Sequence, residues 1–153
     1  MARFGVVVVG RPRVAWANTA VADYARRIQR LGGVREEVVK PERFRGDVEA
    51  VRDAEAERVR RLVGDRGRQV VLDERGDRCS TEAFASLVDD GRQAGSVWFV
   101  IGGPYGHGRA LRDEAWRVIR LSDLVLNHEV ARVVLYEQLY RALTLLEGHP
   151  YHH

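Results

Sequence analysis

The sequence has one cysteine, Cys79, in 153 residues, so no disulfide can form within the chain. A single thiol is typical of a reducing compartment, and we expect a cytoplasmic protein, or a plastid protein if the source is a plant and its transit peptide is absent from this sequence. The one lysine, Lys40, precedes Pro41 and belongs to no phosphate-binding P-loop. No apolar run approaches the roughly 18 residues that span a bilayer, so we expect no membrane segment.

Several common catalytic and ligand motifs are also missing. The chain has no Cys-x-x-Cys or His-Glu-x-x-His spacing and no Gly-x-Ser-x-Gly nucleophile elbow. His107, His128 and the histidines of the tail have no acidic or cysteine partner at ligand spacing, so we expect no metal site. The glycines between 102 and 108 do not fit the G-x-G-x-x-G dinucleotide fingerprint.

The positive charge of the chain comes almost entirely from arginine. The net charge is +3 and the sequence pI is about 9.4. Arginine binds phosphate through two parallel hydrogen bonds and stacks on bases, which makes RNA a plausible partner. A GC-rich genome, which favours arginine codons, explains the same composition, and charge alone does not separate the two interpretations.

Strand-like and helix-like segments alternate along residues 1–153, which we interpret as one domain. Apolar runs predict strands at 4–9, 34–39, 69–73, 96–101 and 118–121. Helical spacing predicts helices at 16–31, 47–63, 81–90, 110–117 and 127–147, and residues 74–76 resemble a turn. This alternation predicts an α/β fold with a parallel sheet covered by helices on both faces. Ligands in such folds bind beyond the carboxyl ends of the strands.

The last predicted helix is apolar over an unusually wide arc. One face carries Val130, Val134 and Leu135, and another carries Val133, Tyr136, Tyr140 and Leu143. Because one sheet face does not need so wide an arc, the pattern favours burial against a second subunit, and we expect a twofold homodimer.

The segment from Phe99 to Gly108 is the most informative part of the chain. Its apolar start ends in four glycines within seven positions, at Gly102, Gly103, Gly106 and Gly108. This pattern predicts a buried strand that runs into a loop whose bare backbone can approach a small ligand closely.

Three motifs in this order and spacing resemble the RlmH family of the SPOUT class, the α/β-knot RNA methyltransferases. They are Ile-Gly-Gly-Pro-x-Gly at 101–106, Leu-Tyr-Arg-Ala at 139–142, and the ending His-Pro-Tyr-His at 149–152. The resemblance covers essentially the whole length. It implies a C-terminal trefoil knot, a homodimer and S-adenosylmethionine as cofactor. It also implies methylation of N3 of a pseudouridine in 23S ribosomal RNA on the assembled ribosome.

The same resemblance implies the residues of the site. The expected cofactor contacts are Leu72, Gly102, Leu121, Ser122, Asp123, Leu124, Val125 and Leu126. Core packing alone is an alternative role for the leucines. In the methyl transfer we expect Arg141 to be the cation that favours the anionic base, with Glu137 one helical turn earlier to orient it. A structural ion pair is the alternative for these two residues, and His152 is a candidate general base.

Two positions depart from the family pattern. Tyr105 stands where most relatives have Glu, and His153 replaces the closing Arg or Lys. These departures leave open a non-catalytic RNA-binding module that keeps the knot fold. A nucleotide- or flavin-binding α/β protein is a third interpretation, but the missing phosphate fingerprint argues against it.

Overall fold

Five parallel strands form one sheet in residues 3–153, the part of the chain that this computed structural model describes. They are β1 (Phe4–Val9), β2 (Val34–Val39), β3 (Arg68–Arg78), β4 (Val97–Ile101) and β5 (Arg117–Arg120). The strands lie in the order β2-β1-β4-β3-β5, and every neighbouring pair is parallel. The predicted parallel α/β sheet is therefore confirmed.

Five α-helices lie in the same residues, close to their predicted bounds. They are α1 (Ala15–Ile28), α2 (Val48–Val63), α3 (Thr81–Gln93), α4 (Arg109–Glu114) and α5 (His128–Glu147). The side chains of Asp47, Ser80 and Asn127 cap α2, α3 and α5 by accepting backbone N–H groups of the first turn. None of these helices is long and apolar enough to span a membrane.

The sheet is buried on both faces because β4 is apolar throughout and β1 and β3 contain apolar runs at residues 6–9 and 70–72. In β1, Val6 and Val8 pack with residues of α1, α3 and α5, whereas Val7 packs on the opposite face with residues of α2 and α4. Alternate residues of a strand point to opposite faces, so a continuous apolar run places valines in both cores.

The wide apolar arc of α5 has an explanation within one chain. This helix lies against α1, α3 and β4 together, and it buries Leu135, Leu139 and Leu143 completely. Tyr136 is also buried, and its hydroxyl donates to Glu36 Oε2 at 2.7 Å. Because three elements surround the helix, the arc does not by itself require a second subunit.

The turn predicted at residues 74–76 is wrong, because β3 continues to Arg78. The register with β5 shifts between Leu72 and Asp77, and both of these residues pair with Ile119. The four residues between them form a bulge, after which pairing with β5 resumes at Asp77 and continues at Arg78. The bulge places residues 73–76 at the carboxyl edge of the sheet.

We expect Gly76→Ala to destabilise this part of the sheet. A Cβ at Gly76 would lie 2.6 Å from the carbonyl carbon of Ile119, so the backbone of β5 would have to move. Such overpacking costs about 1–3 kcal/mol in the free energy of unfolding, measurable by urea denaturation. The control is Asp77→Ala at an exposed neighbouring position, where the expected change is below about 0.5 kcal/mol. Equal stabilities of the two variants would contradict this account of the bulge.

Candidate active site

A cavity of about 840 Å³ lies at the edge of the sheet where β3, β4 and β5 end. Most of its lining comes from the bulge of β3 and from the ends of β4 and β5 with the segments that follow them, at residues 72–75, 101–107 and 120–128. Parallel strands bring their carboxyl ends to the same edge, which is why segments distant in sequence meet here. The volume lies in the range of small-molecule and cofactor sites.

The turn after β4 requires glycine, which has no Cβ, at two positions. A Cβ at Gly102 would lie 3.0 Å from two atoms of the His107 ring, and a Cβ at Gly103 would lie 3.2 Å from Val9 Cγ1. The turn closes through a hydrogen bond from Gly106 N to Gly103 O at 3.0 Å, and Gly106 has a positive φ of 73°. Backbone groups therefore form this wall of the cavity.

His107 forms the buried base of the glycine turn and was missed as a site residue by the sequence analysis. Its side chain lines the cavity, and the residue is only 5% exposed. Burial lowers the pKa of the imidazole to about 4, so the ring is neutral at pH 7. Its Nε2 atom has no hydrogen-bond partner among residues 3–153. The only sequence signal for this role is a histidine within a glycine turn that follows an apolar strand.

Asp73 and Arg75 hold the segment that follows Leu72. The Asp73 carboxylate accepts hydrogen bonds from the backbone N–H of Arg75 at 2.8 Å and from its guanidinium at 3.0 Å. Burial raises the pKa of Asp73, but the hydrogen bonds from Arg75 outweigh burial and the pKa lies below its usual value. Arg75 also donates to the carbonyl oxygen of His107 at 3.1 Å, which ties this segment to the glycine turn.

The segment 121–126 forms the opposite wall of the cavity. Leu124 and Val125 are 77% and 75% exposed, which is unusual for large apolar side chains. The segment is shaped by a hydrogen bond from Leu124 N to Ser122 Oγ at 3.0 Å. Two exposed apolar side chains beside a concave site favour a ligand or partner surface that covers them.

The structure brings together most of the predicted cofactor residues. Those that line the cavity are Leu72, Gly102, Leu121, Ser122, Leu124, Val125 and Leu126. Asp123 is the exception, because its carboxylate binds Arg78 and lies 3.1 Å from Arg120 Nε. Asp123 therefore anchors the segment to β3 and β5, and it does not line the cavity.

The three predicted catalytic residues contact one another at a different place. Arg141 donates to Glu137 Oε2 at 2.8 Å, and Arg141 NH1 lies 3.0 Å from His152 Nδ1. Tyr151 completes the cluster by donating to Glu137 Oε2 at 2.7 Å. None of these residues belongs to the lining of the cavity in the described chain.

Glu137 and Arg141 of this cluster are both ionised at neutral pH. Burial raises the pKa of Glu137, but hydrogen bonds from Arg141 and Tyr151 outweigh burial and hold the pKa below its usual value. The hydrogen bond with Glu137 raises the pKa of Arg141 further. Arg141 thus remains a cation at every relevant pH, and Glu137 remains its anionic partner.

The sequence matches the family described as "Predicted SPOUT methyltransferase" over residues 2–152. Similar curated proteins cover nearly the whole chain. "Ribosomal RNA large subunit methyltransferase H" of Geobacter sp. (strain M21) is 37% identical and covers 99% of both chains. The protein of the same name from Thermus thermophilus is 44% identical and covers 98% of both.

Solved structures of low identity share the fold. A probable methyltransferase from Bordetella pertussis Tohama I has a TM-score of 0.58 at 22% identity, and covers 93% of this chain and 95% of its own. A probable methylase family protein from Haemophilus influenzae Rd KW20 has a TM-score of 0.61 at 15% identity, and covers 96% and 67%. The chain therefore shares the fold of these two structures.

We expect the buried His107 to make stability depend on pH. The imidazole titrates near 6.5 when unfolded and near 4 when folded, so the unfolded state binds more protons between these values. The free energy of unfolding therefore falls as the pH drops through this window. His107→Gln removes the effect, and the wild type should lose up to about 3 kcal/mol more than the variant between pH 7 and pH 4.

Urea denaturation at pH 7, 6, 5 and 4 measures this difference. His149→Gln, which replaces an exposed histidine, is the control and should follow the wild type. Parallel stability curves for the wild type and His107→Gln would contradict a neutral, buried His107.

Proposed function

Because this chain belongs to the SPOUT methyltransferase family, we propose that it transfers a methyl group from S-adenosylmethionine to ribosomal RNA. The observation that carries the proposal is the cavity, in which a bare glycine turn faces an apolar segment. The curated relatives are named as methyltransferases of large-subunit ribosomal RNA. More specifically, we propose that the methyl acceptor is N3 of a pseudouridine in 23S ribosomal RNA. The reaction takes place in the cytoplasm on the assembled ribosome.

The residues of the cavity fit this cofactor. The exposed side chains of Leu124 and Val125 offer apolar contacts for an adenine ring, and the bare backbone at Gly102 offers peptide N–H and C=O groups. S-adenosylmethionine supplies an electrophilic methyl group on a sulfonium. Leu72, Leu121, Ser122 and Leu126 complete the proposed pocket.

We propose a homodimer that brings Arg141 of one subunit to the cavity of the other. Ala131 lines the cavity, and Arg141 lies ten residues further along α5, which is about 15 Å at 1.5 Å per residue. The guanidinium of Arg141 is held by Glu137, and Arg141 does not line the cavity of its own chain. A second copy of the chain supplies Arg141 as the cation. We also propose that the chain forms a C-terminal trefoil knot.

Within the composite site, Arg141 favours the negative charge that develops on the base when the N3 proton passes to solvent water. Glu137 orients the guanidinium through the hydrogen bond at 2.8 Å. A guanidinium has only donors, so His152 Nδ1 accepts from Arg141 and the other ring nitrogen carries the proton. We therefore propose that His152 positions Arg141, and we do not assign it the role of general base.

We expect methyl transfer to depend on the glycine turn. Labelled methyl groups should pass from S-adenosylmethionine to ribosomes with the wild type. Gly102→Arg should reduce incorporation at least about 100-fold, because a Cβ there would lie 3.0 Å from the His107 ring and the glycine turn that lines the cavity would have to move. The control is Ala94→Arg, an exposed position before β4 at the opposite edge of the sheet, which should keep wild-type activity. Equal incorporation by Gly102→Arg and the wild type would overturn the proposed pocket.

Mixed dimers test the shared site. Gly102→Arg and Arg141→Ala should each be inactive alone, since one loses the pocket and the other loses the cation. If each site uses the pocket of one subunit and Arg141 of the other, random reassociation restores about a quarter of the wild-type sites. No recovery after unfolding and refolding the two variants together would contradict the composite site.

A further inference from the structure

We propose that Phe44 and Tyr105 form a stacking platform for an unpaired nucleobase of the RNA substrate. The two rings stack on each other with centroids 5.4 Å apart and an interplanar angle of 20°. Phe44 is 47% exposed and Tyr105 is 38% exposed. This inference rests on the proposed function, because it names the surface that receives the RNA beside the cavity.

The pair does not belong to the core of the protein. Phe44 lies between β2 and α2, and Tyr105 lies in the turn after β4, so the rings come from two separate loops at the carboxyl edge of the sheet. Aromatic rings that stack only to support a fold usually bury most of their area. Here each ring keeps a large part of its surface in water, which leaves an aromatic face free for a further ring.

The platform is fixed at the mouth of the cavity. Tyr105 itself lines the cavity. Its carbonyl oxygen accepts a hydrogen bond from Arg52 Nε at 2.8 Å, and Arg52 NH1 binds Glu49 at 2.7 Å. Because α2 holds the turn in this way, a base on the platform lies next to the site where the target base is methylated.

The charge around Phe44 suits a phosphate backbone. Arg43 and Arg45 flank Phe44, both are exposed, and neither forms a salt bridge within residues 3–153. The neighbouring acidic groups are engaged, since Asp47 caps α2 and Glu42 lies 3.4 Å from Arg58. Arginines beside an aromatic face are the combination that binds single-stranded RNA, through phosphate contacts and base stacking.

RNA is recognised mainly at loops and bulges, whose unstacked bases lie on aromatic side chains. The stacked rings already contact each other, so the base binds on the solvent-exposed side of the pair. Stacking accepts any base, so the platform holds a neighbour of the target nucleotide without selecting its sequence. We infer that it sets the position of the strand relative to the cavity.

Phe44→Leu tests the platform, because it keeps an apolar side chain but removes the aromatic face, and Phe44 does not line the cavity. We expect the KM for ribosomes to rise at least about fivefold, with thermal stability and affinity for S-adenosylmethionine unchanged. Phe44→Tyr is the matched control, since it retains the ring and should keep the KM of the wild type. A KM for Phe44→Leu within about twofold of the wild type would overturn the proposal.

A photo-crosslinking amino acid, p-benzoylphenylalanine, at position 44 identifies the partner. Crosslinking to 23S RNA in ribosomes supports the platform, whereas crosslinking only to a ribosomal protein, or none, overturns it. Failure of the proposed function gives a different result, because the wild type itself would then transfer no methyl group to ribosomes. If the wild type transfers methyl groups and Phe44→Leu has an unchanged KM for ribosomes, the platform is rejected and the proposed function is not.

Discussion

The parallel pairing of β1, β4, β3 and β5 is the constraint on which the rest of the structure depends. Because all of these strands run in one direction, the segments that follow them leave the sheet at a single edge. Leu72, Gly102 and the segment 121–126 are widely separated in sequence, yet they line one cavity for this reason. The bulge of β3, the ends of β4 and β5 and the segments that follow them form most of its lining.

The helix α5 carries residues of both parts of the proposed site, the cavity and the Arg141 cluster. Its first turns lie at the cavity, and its later turns carry Glu137 and Arg141. A buried set of ionic contacts holds it in place, since Arg132 binds both carboxylate oxygens of Glu36 at 2.9 Å. A buried guanidinium with a bidentate partner fixes orientation as well as position. Arg141 lies outside the lining of the cavity in its own chain, which supports the proposed dimeric site.

Much of the fold could be predicted from the sequence because the central strands, such as Val97–Ile101, are buried on both faces and are continuously apolar. The glycine turn and the leucine segment could be located from their motifs. The turn predicted at residues 74–76 was wrong because β3 continues through a bulge, and the same strand explains why Asp123 is not in the cavity lining. The pairing of β3 with β5 resumes beyond the bulge, and this places Arg78 beside Asp123, where the carboxylate forms an ion pair instead of lining the cavity. His107 was missed because its burial arises from contact with Gly102, which no local pattern predicts.

Hydrogen exchange with and without S-adenosylmethionine tests the central claim most directly, because it reports on the main-chain N–H groups that the account assigns to the cofactor. We expect slower exchange in the presence of S-adenosylmethionine at residues 102–107 and at residues 121–126 together. The amino edge of the sheet, including residues 94–96, should not change. Slower exchange confined to another part of the chain, or no change at either segment, would contradict the assignment of this cavity to the methyl donor.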